Sequence, residues 1–408
     1  MFKIFFKALG KTVIGGVRYY AWLAFLFIVI GLGASAYMEQ LQKGLIVTAM
    51  RDQVSWGLYI SNFTFLVGVA AAAVLLVIPA YLYNFKPIKE IVLFGEMLAA
   101  TAIVMCILFI MVDLGHPLRV WHLLPIVGKM NFPSSLLAWD VVVLNGYLII
   151  NFILVAYAMC RFVLAKEYKL SLVLPLILLS IPWAVSIHTV TAFLYNGFPA
   201  RPFWNASILA PRFLASAFCS GPAIMIILLQ VIRRLSRVEI DNKAIHKIAE
   251  LVAYTMGINL FLLGAEIFKE FYSGSIHKAP IEYLYLGLHG KTLLVPWMRT
   301  ALVVNVIAFI IFLVPRLREN FIGLNLGAVL IIIGVYIEKG MGLVLPGFIP
   351  DSLGEIYEYL PTSQELLVTA GIWAFGALFY TLFARFTIPV YTGELSARDR
   401  EQARGRIT

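Results

Sequence analysis

Charged residues are scarce in this chain. Asp, Glu, Lys and Arg make up 13% of its 408 residues, against 61% hydrophobic. A soluble domain carries about a quarter charged residues, so a water-soluble globular fold is excluded. Cysteine is rarer still. Cys106, Cys160 and Cys219 lie far apart inside apolar stretches and form no C-x-x-C cluster. Thiolate-held zinc or an iron–sulfur cluster of the chain's own is therefore not expected, and the three read as buried, inert thiols. Histidine is confined to His116, His122, His188, His246, His277 and His289. Only His188 falls well inside an apolar stretch, which leaves no paired axial ligands for a b-type haem. Walker loops, H-E-x-x-H and G-x-S-x-G are missing from any suitable context.

Apolar sequence fills the space left by charge. Mean hydropathy is +0.90. A membrane helix needs roughly 20 apolar residues, and ten stretches qualify: about 19–37, 58–83, 90–112, 136–160, 170–195, 211–232, 247–271, 294–314, 321–344 and 365–388. The expected fold is all-α and polytopic, with ten transmembrane helices. The net charge of +10 would suggest nucleic acid in a soluble protein; here it is assigned to cytoplasmic loops and anionic membrane lipid, with no nucleic-acid partner.

Orientation follows from the same charges. With the N-terminus inside, roughly two thirds of the 32 Lys and Arg residues fall in inner segments. Cytoplasmic retention of Lys and Arg then predicts both termini inside and an even number of spans. Lys3, Lys7, Lys11 and Arg18 among Phe2, Phe5, Phe6 and Leu9 suggest a short interfacial helix. The following apolar run ends in Ala34-Ser35-Ala36, like a secretory signal, but is read as an uncleaved first span. The stretch 338–365 is expected as an acidic outer loop, with Glu338, Asp351, Glu355, Glu358 and Glu365.

This topology gathers polar residues near one leaflet. The connection Asp113–Asp140 holds His116, Arg119, His122, Lys129, Asn131, Trp139 and three prolines, Pro117, Pro125 and Pro133. Proline lacks an N–H and breaks helices, so the connection reads as an irregular crossing at the outer surface. The second segment brings Trp56 and Asn62 to the same side, the fifth brings Ser186 and His188, and the seventh brings Glu266. Ionisable side chains inside a membrane cost roughly 2.5–3.5 kcal/mol at a helix centre and are rarely idle.

Without a redox centre of its own, such a cluster suits a quinone. A quinone ring needs an apolar aromatic slot and hydrogen-bond partners, and its oxidation releases two protons. His188 is the best acceptor, because imidazole titrates near neutrality; Asp113, Asp140 and Glu266 could orient it or relay the proton. Simpler readings stand beside these: a helix-carbonyl bond for His188, an ion pair with Lys269 or Arg212 for Glu266, interhelical bonding for Asn62 and Asn259, and an interfacial aromatic belt for Trp56, Trp139 and Tyr272.

Five segments carry a family resemblance. "DLGHPLRVWHLL…NFPSSLLAWD" (113–140), "WGLYISNFTFLVGVA" (56–70), "SIHTV" (186–190), "PRFLASAFCSG" (211–221) and "EIFKEFYSG" (266–274) resemble segments of the NrfD/PsrC membrane subunits. Ten spans and the acidic stretch before the last are most similar to the DsrP branch, or the integral membrane subunit of Hdr-like menaquinol oxidoreductase. The resemblance implies two four-helix bundles, helices 2–5 and 6–9, flanked by helices 1 and 10. It implies menaquinone as bound substrate on the outer side of the first bundle, contacted by Trp56, Asn62, His116, Arg119, His122, Trp139 and Ser186. It also implies a ferredoxin-like iron–sulfur partner on the outer face, with cytochrome b, cytochrome c and Hdr-like subunits in the same complex. Two departures stand out: Ala70–Ala73 where many relatives have a histidine, and Ala192-Phe193 where relatives often have Trp-Asp. Both put a transferred proton path in doubt.

The expected division is a basic N-terminus (1–18), a first helix and outer loop (19–55), a first bundle with the pocket (56–196), a second bundle (197–344), an acidic loop and tenth helix (345–390) and a basic tail (391–408). Three functions remain open: a quinone-reactive subunit, a secondary transporter, and a redox-inactive anchor. Largely unbroken helices, with Pro182 and Pro222 as the main interruptions, weigh against the transporter.

Overall fold

The computed structural model describes residues 2–395 apart from positions 125, 165, 167, 168, 237, 275–277 and 352. Pro125, Arg237, His277 and the tail with Arg398, Arg400, Arg404 and Arg406 lie outside the described residues. Ten described helices are long and apolar enough to cross a membrane: α1 Val17–Lys43, α2 Leu58–Leu82, α3 Val92–Asp113, α4 Leu136–Val163, α5 Leu170–Asn196, α6 Leu209–Leu235, α7 Asn242–Ser273, α8 Val295–Leu313, α9 Phe321–Phe348 and α10 Ser363–Tyr391. They fall on the ten apolar stretches of the sequence. The protein is an all-α, multi-pass membrane protein.

Helix ends follow local chemistry. The Ser135 hydroxyl caps α4 by accepting from the Ala138 N–H at 3.4 Å, and Asn320 caps α9 through Ile322 at 2.8 Å. At α10 the Thr362 hydroxyl and the Glu365 carboxylate form a reciprocal capping box. α7 stops at Gly274, which is left-handed with φ 59°.

α2, α3 and α6 are buried over most of their length, whereas α1 and α5 are peripheral. A helix that is apolar all round belongs in the core. α2 packs on α3, α3 on α4 and α4 on α5; α6 packs on α7 and α9, and α8 lies between α7 and α9. α2 and α5 also touch α6. α1 lies along α10. There the backbones nearly touch: a Cβ placed on Gly33 would sit 2.7 Å from the Gly371 Cα. Small residues permit such approach in membranes. Helix Phe2–Val13 packs on α10 near its C-terminal end, with Lys11 paired to Glu394 at 2.8 Å.

Several expectations are corrected. The helices are more interrupted than two prolines suggest. α2 breaks at Ala71 and ends in a π-helical turn, Ile78–Leu82, around Pro79. α9 breaks at Gly340 before the short helix Met341–Val344. Prolines also sit inside α5 at Pro175 and inside α10 at Pro389. Cys160 is exposed while Cys106 and Cys219 are buried, because Cys160 lies on an outward face of α4. Glu338 and Glu365 are not loop acids. Glu338 lies within α9 and Glu365 in the first turn of α10, and both are buried, held there by their hydrogen-bond partners.

Candidate functional site

The end of the bundle where α3 passes to α4, here the crossing end, holds most of the expected site residues. α3 runs to Asp113, where Leu114 turns extended. The chain then makes a 3-10 turn, Pro117–Leu123, and enters α4 after the Ser135 cap. This fixes Asp113 at the last turn of one helix and Asp140 at the first turns of the next. Asp140 is buried, and its Oδ1 accepts from the Thr191 hydroxyl of α5 at 3.1 Å. His188 stands about 4.5 Å along α5 from Thr191. Its Nδ1 lies 2.7 Å from the Ala184 carbonyl. A carbonyl only accepts, so Nδ1 carries a proton there. The Val67 carbonyl of α2 approaches the ring, yet Nε2 makes no hydrogen bond.

Three of the expected residues thus share one property. Asp113 Oδ1, Asp140 Oδ2 and His188 Nε2 are buried polar atoms without a hydrogen-bond partner. Such atoms are rare in native structures, and each calls for a reason.

An aromatic cluster lies beside them. The Trp56 ring meets Tyr195, Phe198 and Trp204 at centroid distances of 5.5, 5.6 and 5.4 Å. Trp204 donates to the Leu343 carbonyl at 2.9 Å and packs where any side chain on Gly347 would overlap its indole. Tyr195 shares a 2.5 Å hydrogen bond with Thr64 and lies within electrostatic reach of both Asp140 and Asp113. Sequence reasoning missed Tyr195, Trp204 and Phe348, whose ring meets Trp204 edge-on at 5.0 Å. An aromatic near a helix end has no signal of its own until its neighbours are known.

The remaining expected residues are placed differently. Asn62 is buried and satisfied: it donates to the Leu58 carbonyl at 2.8 Å and accepts from Tyr336 at 3.1 Å and from the Trp373 indole at 2.8 Å. It knits α2 to α9 and α10. The Ser186 hydroxyl donates to the Trp183 carbonyl of its own helix at 2.6 Å. Trp139 packs on Phe132 and donates to the Pro133 carbonyl at 2.8 Å. His116, Arg119 and His122 are exposed on the crossing, whereas His188 is buried.

Glu266 lies on α7. It is bonded to Arg212, whose second nitrogen reaches Glu338 at 3.0 Å. Glu338 also accepts from Asn259 and Asn305, each at 3.2 Å, and Lys339 Nζ lies 3.6 Å from it. All six side chains are buried. The charges balance, as burial in low dielectric requires. A cavity of about 10 Å³ separates this network from His188, lined among others by Thr64, Ser216, Ser220 and Lys339. That is room for about one water and far below the ~300–1,000 Å³ of a typical ligand pocket. Among the described residues no three His, Cys, Asp or Glu side chains are placed to hold a metal ion.

The sequence pattern of the family described as "Polysulphide reductase, NrfD" matches residues 46–349. The chain belongs to this family of membrane oxidoreductase subunits. The match takes in α2 to α9 and the crossing. Similarity to individual relatives extends over nearly the whole length. The chain is 24% identical to the Hdr-like menaquinol oxidoreductase integral membrane subunit of Archaeoglobus fulgidus, over 90% of this chain and 92% of that one. It is 23% identical to a selenate reductase subunit of Mesobacillus selenatarsenatis, over 96% and 97%. It is 22% identical to the menaquinone reductase integral membrane subunit of Nitratidesulfovibrio vulgaris, over 92% and 93%.

Proposed function

We propose that this NrfD-family chain is the quinone-handling membrane subunit of a respiratory oxidoreductase. It binds menaquinone or menaquinol at the crossing end and exchanges electrons with a ferredoxin-like iron–sulfur partner there. The carrying observation is the trio of unpartnered buried atoms on Asp113, Asp140 and His188, beside the aromatic cluster of Trp56 and Tyr195. Relatives named for menaquinol oxidation and menaquinone reduction support the substrate class.

Quinol oxidation releases two electrons and two protons. In this reading His188 Nε2, already the lone-pair nitrogen, takes one proton. Asp140 takes the other, with Thr191 holding its second oxygen in place, and Asp113 offers the route to the surface. The electrons leave to the partner's clusters, and quinone reduction runs the same path backwards. The space beside His188 is smaller than a ring, so admission of the substrate requires side chains at this end to move aside. Trp56, Trp139, His116, Arg119 and His122 flank that approach.

The finer assignment follows the same reading: the DsrP or Hdr-like branch, α2–α5 and α6–α9 as two four-helix bundles, both termini cytoplasmic, and cytochrome b, cytochrome c and Hdr-like subunits as further partners. The test is purification from native membranes. Co-purifying iron–sulfur or cytochrome subunits, extractable menaquinone and an inhibitor-sensitive menaquinol activity support it. Partners without extractable quinone or quinol activity indicate an anchor. A lone chain catalysing solute counterflow indicates a transporter.

A further inference from the structure

The small cavity beside His188 is a meeting point of four helices. α2 supplies Thr64 and Gly68, α5 His188, α6 Ser216 and Ser220, and α9 Lys339. Two of these side chains bring a polar atom that makes no hydrogen bond, His188 Nε2 and Lys339 Nζ. Both residues are deeply buried, at 1% and 3% exposure. Lys339 Nζ stands 3.6 Å from Glu338, beyond hydrogen-bond length. It lies over the ring of Phe213, another lining residue, at 5.4 Å. His188 and Lys339 thus line one cavity without bonding to each other, and Lys339 has no part in the function proposed above.

One small polar molecule satisfies both atoms. A volume of about 10 Å³ is at the lower limit for one water, ~10–15 Å³, which needs about two to four polar partners. Those partners fix its orientation. An ammonium only donates, so the water oxygen accepts from Lys339. His188 Nδ1 carries the proton that meets the Ala184 carbonyl, so Nε2 accepts one water hydrogen. The Ser216 and Ser220 hydroxyls donate to the Phe213 and Ser216 carbonyls at 2.9 and 3.2 Å, which leaves their oxygens to accept the other. Water also suits both states of the imidazole. A protonated Nε2 must donate, and the second lone pair of the water can turn to receive it. A carbonyl in that place would suit only the protonated ring, and a lysine in direct contact only the neutral one.

We propose that this cavity is a binding site for one water that bridges Lys339 Nζ to His188 Nε2, and that Lys339, through this water, is a positioning residue for His188. In quinol oxidation a quinol O–H bond breaks and an Nε2–H bond forms, the electrons leave to the partner's clusters, and the water then accepts from the new N–H. The role in turnover rests on the function proposed above; the site itself does not. Gly68 is the point at which to perturb it. A Cβ there would lie 3.4 Å from both the Ala217 Cα and the Ser220 hydroxyl. That is ordinary contact, so alanine fits while its methyl takes the space of the water.

The test uses the assembled complex with isotope-labelled histidine. Solid-state NMR reads the ring nitrogens of His188, assigned by their loss in His188→Gln. In wild type, Nε2 is expected to carry no proton of its own and to show a cross-peak to a bound water. Gly68→Ala and Lys339→Met are each expected to lose that cross-peak and to keep the Nδ1–H signal. For Gly68→Ala, kcat for menaquinol is expected to fall at least about tenfold, with KM within about twofold of wild type. A wild-type Nε2 without the water cross-peak overturns the proposal. So does a cross-peak that survives in Lys339→Met, which reduces Lys339 to a structural cation. Unchanged kcat in Gly68→Ala, where His188→Gln is inactive, overturns the role of the water in turnover. Full turnover in His188→Gln overturns the function proposed above instead, and the cross-peaks alone then decide the water site. The wild-type spectrum decides even if a variant fails to fold.

Discussion

Replacing His188 by Gln separates a catalytic role from a structural one. The imidazole bonds within its own helix, to the Ala184 carbonyl. That carbonyl also has its helical N–H, so the substitution leaves no group on a neighbouring helix unpaired. A hydrogen bond of this kind contributes ~0.5–1.5 kcal/mol, and interhelical bonds in membranes average ~0.6 kcal/mol. The stability loss should stay below about 1.5 kcal/mol, and the subunit should still assemble. Loss of a positioned proton acceptor, in contrast, costs ~10²–10⁴-fold in rate, or about 2.7–5.4 kcal/mol at ~1.36 kcal/mol per decade. The assay is menaquinol-dependent reduction of the partner's clusters, followed by stopped flow, beside a thermal melt of the same preparation. Turnover within about threefold of wild type refutes the role of His188. So does a rate that falls only in step with loss of assembled complex.

Other side chains carry distinct expectations. Arg212→Ala leaves Glu266 buried without its cation and Glu338 with Lys339 alone, at a cost of ~3–5 kcal/mol; a sharp drop in melting temperature or yield in detergent checks it. Arg212→Lys should recover only part, because one ammonium cannot reproduce the two-pronged contact. Asn62→Ala orphans the Tyr336 and Trp373 donors, and each unmade bond costs ~1–3 kcal/mol; the melt should fall, whereas quinol turnover per folded protein should hold. A changed KM for quinol would instead place Asn62 against the substrate. Gly33→Leu drives a side chain into Gly371, and proteolysis should then release α1 faster than in wild type.

The ten spans were legible because length and apolarity are local properties, and the crossing was legible from its prolines. Asp113, Asp140 and His188 could be placed at one end because the side of each helix follows from counting spans. The Arg212 network was not legible in full. Arg212 and Glu338 are 126 residues apart, and no periodicity links them; Glu338 looked like loop acidity because it sits two residues before the Gly340 break. The break at Ala71 was hidden for another reason. Alanine is a good helix former, and nothing in Ala70–Ala73 announces a turn. Cys160 was misjudged because an apolar neighbourhood in sequence does not say whether a residue faces protein or lipid. Tyr195 shows the same limit: its importance comes from Trp56, Thr64 and Trp204, none of them its neighbours in the chain.

The close seam between α1 and α10 bears on biogenesis. α1 finds its main protein surface on α10, which is translated long after it. Until α10 is made, α1 must wait in lipid with Gly33 exposed to acyl tails. Products that stop before α10 therefore keep an unclosed flank, which gives membrane quality control a simple mark by which to recognise them.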